Sequence, residues 1–197
     1  MDNFNLYLIR HGETNDSVEK RYCGNSSVSL TKKGQKQAGN IYRKVRVPID
    51  TIWTSSQPRA IETAKLAFPD CKPIKTRAIN ELDFGTWEGL TYKEITDTAK
   101  NNYNDWVNGF WNIAPPQGET LKKLNERVVS FLNNLCFQLT TKATIVVAHA
   151  GSIKAMVCHL LEKSLKEEFW NVNIGLGSIN KFRIINGKVE DYVLNVK

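Results

Sequence analysis

Short apolar runs alternate with longer amphipathic stretches along this chain. The runs at 6–9, 51–54 and 143–148 have the length and composition of buried strands. Turn or helix-start residues follow them, such as Gly12 after the first run and Pro58 after the second. Strands that alternate with helices predict an α/β protein built on a mostly parallel sheet.

Apolar residues at helical spacing predict three amphipathic helices. Thr31 is the expected N-cap of the first helix, and the third is expected to run from Ser152 to Lys163. We expect their apolar stripes to be core, without a chemical role. The stripes are Ala38, Ile41, Tyr42 and Val45 in the first helix, Leu121, Leu124, Val128, Leu132, Leu135 and Leu139 in the second, and Ile153, Met156, Val157, Leu160 and Leu161 in the third.

The last part of the chain has a different pattern. Asn186-Gly187 lies between two apolar segments, 182–185 and 189–196, and this dipeptide is typical of a two-residue β-hairpin turn. The otherwise parallel sheet is therefore expected to gain antiparallel strands. No repeat, low-complexity tract or linker interrupts the 197 residues, so we expect one domain over 1–197.

Composition limits the expected location and partners. No apolar run is long enough to span a bilayer, and residues 1–5 lack the basic and apolar regions of a signal peptide. Cys23, Cys71, Cys136 and Cys158 have no metal-ligand spacing, which favours a cytoplasmic protein with reduced thiols. The net charge is +7, but the lysines are scattered and no nucleic-acid-binding motif is present. The expected partner is a small anionic substrate, not nucleic acid or a membrane.

Cationic residues stand where the predicted strands end. Arg10 and His11 follow the first run, Arg59 lies in the helical turn after the second, and His149 ends the third. If the strands are parallel neighbours, these groups meet at the edge where open α/β sheets bind ligands, beside two helix N-termini. Each residue alone would be interpreted as a solvated or satisfied polar group, and we interpret His159 in that way. Together the four predict an oxyanion site.

Four blocks resemble the histidine phosphatase (phosphoglycerate mutase-like) superfamily in order and spacing. They are residues 8–14, 55–64, 81–89 and 147–151. Within the superfamily, residues 22–24, 30–38 and 116–119 look most like the alpha-ribazole phosphatases of cobalamin synthesis. The resemblance implies a three-layer α/β sandwich, with a mixed, mostly parallel sheet, helices on both faces and a small cap insertion at about 84–118.

The resemblance also implies a metal-independent phosphomonoester hydrolase that needs no cofactor. His11 would be the nucleophile that becomes phosphohistidine, and Arg10, Arg59 and His149 would surround the phosphate. His149 would act as a donor there if it were protonated. Glu81 matches the position of the acid that gives a proton to the leaving group.

Glu88 and Glu13 compete with Glu81 for the role of the acid. We expect Glu88 to anchor the cap and Glu13 to support the loop after the first strand. Ser17 stands where relatives usually have Asn, which changes the donor at that point. The substrate-binding residues implied by the resemblance are Arg10, Ser17, Cys23, Gly24, Arg59, Glu81, His149, Ala150 and Gly151.

Residues 84–118 break the alternation of strands and helices. Their aromatic residues are Trp87, Tyr92, Tyr103, Trp106, Phe110 and Trp111. The cluster is either a subsidiary hydrophobic core or a cap whose aromatic faces contact the leaving group. Stacking would favour a flat base. A second anionic group, as in phosphoglycerate, would need a cation, and the basic residues of this segment are Lys93 and Lys100.

The function that we favour is dephosphorylation of alpha-ribazole 5′-phosphate. A phosphoglycerate mutase or a broad-specificity phosphatase would use the same pocket, and a non-catalytic module would bind phosphate without turnover. The presence of His11, Glu81, His149 and both arginines favours an enzyme over such a module. The sequence does not determine the oligomeric state, and a homodimer is compatible with it.

Overall fold

A computed structural model describes residues 3–45, 47–136 and 143–197. At its centre is a six-stranded sheet. In chain order the strands are β1 (Asn3–Arg10), β2 (Ile49–Ser55), β3 (Ile74–Thr76), β4 (Ala143–Ala148), β5 (Ile179–Ile185) and β6 (Lys188–Val196). The described helices are α1 (Asn15–Val18), α2 (Lys32–Ile41), α3 (Pro58–Ala67), α4 (Tyr92–Gly109), α5 (Leu121–Cys136), α6 (Ala150–Leu160) and α7 (Leu165–Glu168), and 3₁₀ turns cover Tyr42–Lys44 and Gly85–Trp87.

The strand order brings the ends of three strands to one edge. The order is β3-β2-β4-β1-β5-β6, and β2, β4 and β1 are parallel neighbours. Arg10 is paired with Ala148, so β1 and β4 end side by side. β5 and β6 pair antiparallel, and Asn186 and Gly187 between them have φ of 50° and 77°. Positive φ at both positions is the requirement of a type I′ turn, so the predicted hairpin is confirmed.

Apolar clusters cover both faces of the sheet. Successive side chains of a strand point to opposite faces. Leu6 and Leu8 of β1 accordingly pack with residues of α5 and α6, whereas Tyr7 and Ile9 pack with residues of α2 and α3. The predicted three-layer sandwich with a mixed, mostly parallel sheet is confirmed.

Two helical predictions were wrong in detail. Tyr42, expected in the core, is 61% exposed because α2 ends before it and the tighter 3₁₀ turn rotates it away from the buried face. α6 runs over Ala150–Leu160 and not over 152–163. It begins earlier because His149 is its N-cap, and Glu162, with φ of 54°, lies just beyond its end.

The other apolar stripes agree better with the structure. Thr31 caps α2 as predicted, because its hydroxyl accepts from the backbone N–H of Gly34 at 3.0 Å. The stripe of α5 is buried from Leu121 to Leu135, whereas Leu139 lies outside the described residues. No helix in the described parts of the chain is long and apolar enough to cross a membrane.

Residues 84–118 contain α4 and pack on the α5 side of the sheet. Trp87 and Trp106 are buried in the same apolar cluster as Leu121 and Leu124 of α5. Their rings meet edge-on, with centroids 5.6 Å apart. The interpretation of this segment as a hydrophobic cluster is therefore correct for its two buried tryptophans.

Candidate active site

Two strand ends and one helix start bring the predicted cationic residues together. Arg10 is the last residue of β1 and His11 follows it, His149 follows β4, and Arg59 is the second residue of α3. His11, His149 and Arg59 are buried, and the centroids of the two imidazole rings are 5.1 Å apart. The convergence predicted from parallel strand order is present.

His11 is held as a neutral ring with one free nitrogen. Its Nδ1 lies 2.7 Å from the carbonyl oxygen of Gly12. Because a carbonyl only accepts, Nδ1 carries the proton and Nε2 keeps its lone pair. Burial, followed by the charges of Arg59 and Arg10, holds the pKa of His11 well below its ordinary value. The ring can therefore act as a nucleophile at neutral pH.

The loop after His11 has no room for a side chain at Gly12. A Cβ there would lie 2.5 Å from the carbonyl oxygen of Gly34 at the start of α2. The Gly12 N–H also donates to Thr63 Oγ1 at 3.1 Å. This close approach positions the carbonyl that fixes the ring of His11.

Backbone carbonyls orient Arg59 without neutralising it. Its guanidinium donates to the carbonyl oxygens of Gly24 at 2.8 Å and Ser26 at 3.0 Å, and to Gln57 Oε1 at 2.6 Å. Burial lowers the pKa of Arg59, but a guanidinium remains charged at neutral pH. A fixed positive charge thus faces the pocket.

Arg10 adds a second guanidinium with unused donor capacity. Its Nη1 donates to the carbonyl oxygen of Ile174 at 2.6 Å, and its Nε is buried without a hydrogen-bond partner among the described residues. Neither Arg10 nor Arg59 forms an ion pair with a carboxylate in the described parts of the chain. The pocket therefore has positive charge to offer an anion.

His149 is uncharged in this arrangement. Burial, then the charges of Arg59, His11 and Arg10, holds its pKa well below the ordinary value. The interpretation of His149 as a donor to phosphate required a protonated ring. His149 therefore has to gain its proton when an anion binds, because the negative charge of the anion would raise the pKa of the His149 ring.

Glu81 lies at the N-terminus of α6. Its Oε2 accepts from the Gly151 N–H at 3.0 Å, and its Oε1 accepts from the Leu82 N–H at 2.9 Å. A Cβ on Gly151 would lie 2.3 Å from Oε1, so only glycine lets the carboxylate approach the helix this closely. The Coulomb interaction of Glu81 with Arg10 raises the pKa of that guanidinium, which opposes the effect of its burial.

The two competing carboxylates are used elsewhere. Glu88 accepts from the backbone N–H groups of Gly24, Asn25 and Phe84, which ties the start of the 84–118 segment to the loop that holds Arg59. Glu13, whose side chain is mostly buried, pairs with the Nζ of the exposed Lys33 at 2.7 Å. Neither carboxylate lines the cavity described next.

A cavity of about 180 Å³ contains most of the expected phosphate-binding residues. Arg10, His11, Arg59, Glu81, Ser17 and Cys23 line it, together with Thr14, Arg21, Tyr22 and Phe84. The Ser17 hydroxyl forms a reciprocal capping box with Thr14, and burial raises the pKa of the Cys23 thiol to about 12. Gly24 and the fully buried His149 do not line this cavity. The Cα of Gly24 faces the backbone of Leu82, and its carbonyl holds Arg59.

A second cavity of about 240 Å³ adjoins the first. The two share Tyr22, Glu81 and Phe84, so Glu81 lies at their junction. The remaining lining residues are Leu82, Tyr103, Trp106, Phe110, Leu121, Ala150, Gly151, Lys154, Phe169 and Trp170. The sequence reasoning missed Lys154, Phe169 and Trp170, because they lie far from residues 84–118 and no motif marks them.

The sequence and the fold both match known proteins. The model of the histidine phosphatase superfamily (branch 1) matches residues 6–196. The adenosylcobalamin/alpha-ribazole phosphatase of Escherichia coli K12 is 29% identical over 175 residues, which are 87% of this chain and 86% of that protein. The crystal structure of the alpha-ribazole phosphatase from Shigella flexneri superposes with a TM-score of 0.89 at 27% identity, over 98% of this chain and 96% of that one.

A relative with a different activity matches a similar length. The 2,3-bisphosphoglycerate-dependent phosphoglycerate mutase of Bartonella bacilliformis is 31% identical over 177 residues, which are 83% of this chain and 84% of that protein. The family model nevertheless spans nearly all of the sequence, including every strand end that carries the site. The chain belongs to the histidine phosphatase superfamily (branch 1).

Proposed function

We propose that this protein is a metal-independent phosphomonoesterase that hydrolyses alpha-ribazole 5′-phosphate through a phosphohistidine at His11. The observation that carries the proposal is the unprotonated Nε2 of His11, because the proton is on the Nδ1 that faces the Gly12 carbonyl. Beside it lie two guanidinium groups that form no ion pair with a carboxylate among the described residues. A neutral imidazole is a nucleophile, and the guanidinium groups stabilise the charge on the phosphoryl oxygens. They could thus supply the positive charge that a metal ion provides in other phosphotransferases.

Two steps complete the reaction. In the first, the Nε2 lone pair forms a bond to phosphorus, the ester P–O bond breaks, and Glu81 gives its proton to the leaving oxygen. In the second, Glu81 takes a proton from water, the water oxygen bonds to phosphorus, and the P–N bond breaks with return of its electron pair to His11. Arg10, Arg59 and His149 would hold the phosphoryl oxygens in both steps. Ser17 and Cys23 line the same cavity.

The second cavity supports an aromatic leaving group. Tyr103, Trp106 and Phe110 of the 84–118 segment line it together with Phe169 and Trp170. We propose that 84–118 is a cap within a single domain over 1–197 and that these rings contact the base of alpha-ribazole. Stacking of one base on aromatic side chains contributes roughly 1–3 kcal/mol in nucleic-acid complexes. The names of the E. coli and Shigella relatives support the same substrate.

One residue favours a second candidate, turnover of an ester with another anionic group, such as 3-phosphoglycerate. The sequence reasoning considered only Lys93 and Lys100, and Lys93 is paired with Asp97 on the surface. Lys154 of α6 brings a cation into the aromatic cavity, where its Nζ donates to the Phe169 carbonyl at 2.6 Å and lies 4.4 Å from the centroid of that ring. A second anionic group would therefore find a cationic partner in this cavity.

Trapping the covalent intermediate tests the reaction. Rapid quenching with phosphorus-labelled ester should give an acid-labile, base-stable adduct in the wild type and in His159→Ala, whose ring is exposed and bonded to Asn133. His11→Ala should give no adduct. Label that survives in His11→Ala would contradict the proposed nucleophile.

Substrate choice is tested through Lys154. The wild type should have a higher kcat/KM for alpha-ribazole 5′-phosphate than for 3-phosphoglycerate and should release inorganic phosphate. Lys154→Met should lower kcat/KM for 3-phosphoglycerate more than for the ribazole ester, and Lys93→Met should change neither. Comparable wild-type values, or 2-phosphoglycerate as the main product, would favour the second candidate.

The location and partners belong to the same proposal. We propose a cytoplasmic enzyme that acts on a small phosphate ester and not on nucleic acid. The scattered distribution of the 27 lysine and arginine residues supports this assignment.

A further inference from the structure

A chain of hydrogen bonds extends from His149 to Ser55 and Asn80, two residues that have no role in the proposed reaction steps. His149 Nε2 lies 2.8 Å from Ser55 Oγ, and Ser55 Oγ lies 2.8 Å from Asn80 Oδ1. His149 and Ser55 are both fully buried, so water does not compete for these bonds. The direction of donation along the chain decides which nitrogen of His149 carries the proton.

Asn80 fixes that direction. The backbone N–H of Ser56 donates to the same Asn80 atom at 3.0 Å, so this atom is the carbonyl oxygen and not the amide nitrogen. An amide oxygen only accepts, and Ser55 must therefore donate its single hydroxyl proton to Asn80. Ser55 Oγ also accepts from the Gln57 N–H at 3.2 Å. The hydroxyl proton of Ser55 is therefore not available to His149. His149 Nε2 must carry a proton and donate it to Ser55 Oγ.

The position of Asn80 is itself fixed. Arg127 of α5 donates to the carbonyl oxygens of Ala78 at 3.0 Å, Asn80 at 2.8 Å and Glu81 at 3.1 Å. The same guanidinium makes two bonds to the carboxylate of Glu119, at 2.8 and 2.7 Å. Because the Arg127–Glu119 pair holds the backbone of Asn80, the side chain of Asn80 can define the orientation of the groups bonded to it.

We propose that Ser55 and Asn80 are positioning residues for His149, which hold its ring in the Nε2–H tautomer so that Nδ1 keeps the lone pair. The consequence for turnover rests on the proposed function. A phosphate ester whose second pKa lies near 6 reaches the site partly as the monoanion. Its proton can pass to Nδ1, which gives an imidazolium and a bound dianion with no net change in protons. The fixed ring then places that new cation at one position.

Nitrogen NMR of the full chain with labelled histidine rings tests the tautomer directly, with His149→Gln to assign the signals. At pH 7.5 the wild type should have a protonated Nε2 and an unprotonated Nδ1 at His149. Ser55→Ala should give a mixture of tautomers, and Ser55→Thr should retain the wild-type pattern because it keeps the hydroxyl. Ser56→Ala is the matched control, since its hydroxyl also donates to Asn80 but does not touch His149.

An Nδ1–H tautomer in the wild type would overturn the inference, even if Ser55→Ala did not fold. A wild-type pattern in Ser55→Ala, or an equal change in Ser56→Ala, would also overturn it. In kinetics, Ser55→Ala should lower kcat/KM about tenfold to hundredfold, the usual effect of removing a hydrogen bond to a charged group. Ser55→Thr should restore most of that activity. If His149 has the expected tautomer but the protein hydrolyses no phosphate ester, only the proposed function is refuted and the inference about the tautomer stands.

Discussion

At the scale of single residues, the partner of each side chain decides its chemistry. His11 and His149 have the same ring and lie side by side, yet one donates from Nδ1 to a carbonyl and the other from Nε2 to a hydroxyl. Three glutamates near the site differ in the same way. Glu81 faces both cavities, whereas Glu88 and Glu13 are used by backbone amides and by Lys33.

Glu81→Gln should slow turnover of alkyl phosphates by about 10²–10⁴-fold, the usual contribution of a general acid. With p-nitrophenyl phosphate the leaving group needs little protonation, so His11 should still be phosphorylated in a burst, followed by slow hydrolysis. Stopped-flow detection of p-nitrophenolate measures this burst. Glu13→Gln, in the pair with Lys33 and outside the cavity lining, should leave both rates unchanged. Equal loss of the burst and of alkyl turnover in Glu81→Gln would argue against the proposed role.

At the scale of elements, an ion pair between Arg127 of α5 and Glu119 holds the segment that contains Glu81. Arg127 bonds to three carbonyl oxygens between Ala78 and Glu81, and Glu119 fixes its other side. Both side chains of this pair are mostly buried. Because α5 packs in the apolar core and carries Arg127, the core also helps to fix the position of Glu81, the proposed acid.

Arg127→Met should lower the free energy of unfolding by about 1–3 kcal/mol, because buried carbonyl groups and the Glu119 carboxylate lose their donor. Arg127→Lys should recover only part of this loss, since an ammonium cannot reproduce the planar fork of donors. Urea denaturation measures both effects. Lys93→Met, in an exposed pair with Asp97, is the control and should change stability by less than about 1 kcal/mol. A loss no larger in Arg127→Met than in this control would contradict the stabilising role of Arg127.

At the scale of the whole molecule, buried histidines couple stability to pH. The pKa values of His11 and His149 are lowered in the folded chain, mainly by burial and by the neighbouring arginines. In the unfolded chain a histidine titrates near its ordinary value of about 6.5. Below that pH the unfolded state binds protons that the folded state does not, so their contribution to stability is complete above about pH 6.5 and is lost as the pH falls toward the folded values.

The free energy of unfolding should therefore fall between pH 7.5 and 5.5, by up to about 1.4 kcal/mol per pH unit for each histidine. Urea denaturation at several pH values measures the slope. His149→Gln should have a shallower slope than the wild type, and His159→Gln, at an exposed position, should keep the wild-type slope. A wild-type slope in His149→Gln would show that this ring is not held neutral by the fold.

The sequence by itself determined the α/β class, the hairpin at Asn186-Gly187 and the meeting of His11, Arg59 and His149. Local periodicity and turn residues indicate the strands and the hairpin. Neighbouring parallel strands then bring the residues at their carboxyl ends to the same edge of the sheet. Only the tertiary structure decided which nitrogen of each histidine is free, that Gly24 supports Arg59 behind the pocket, and that Lys154, Phe169 and Trp170 complete the second cavity. These features depend on contacts between residues distant along the chain, and no local pattern records how such segments pack.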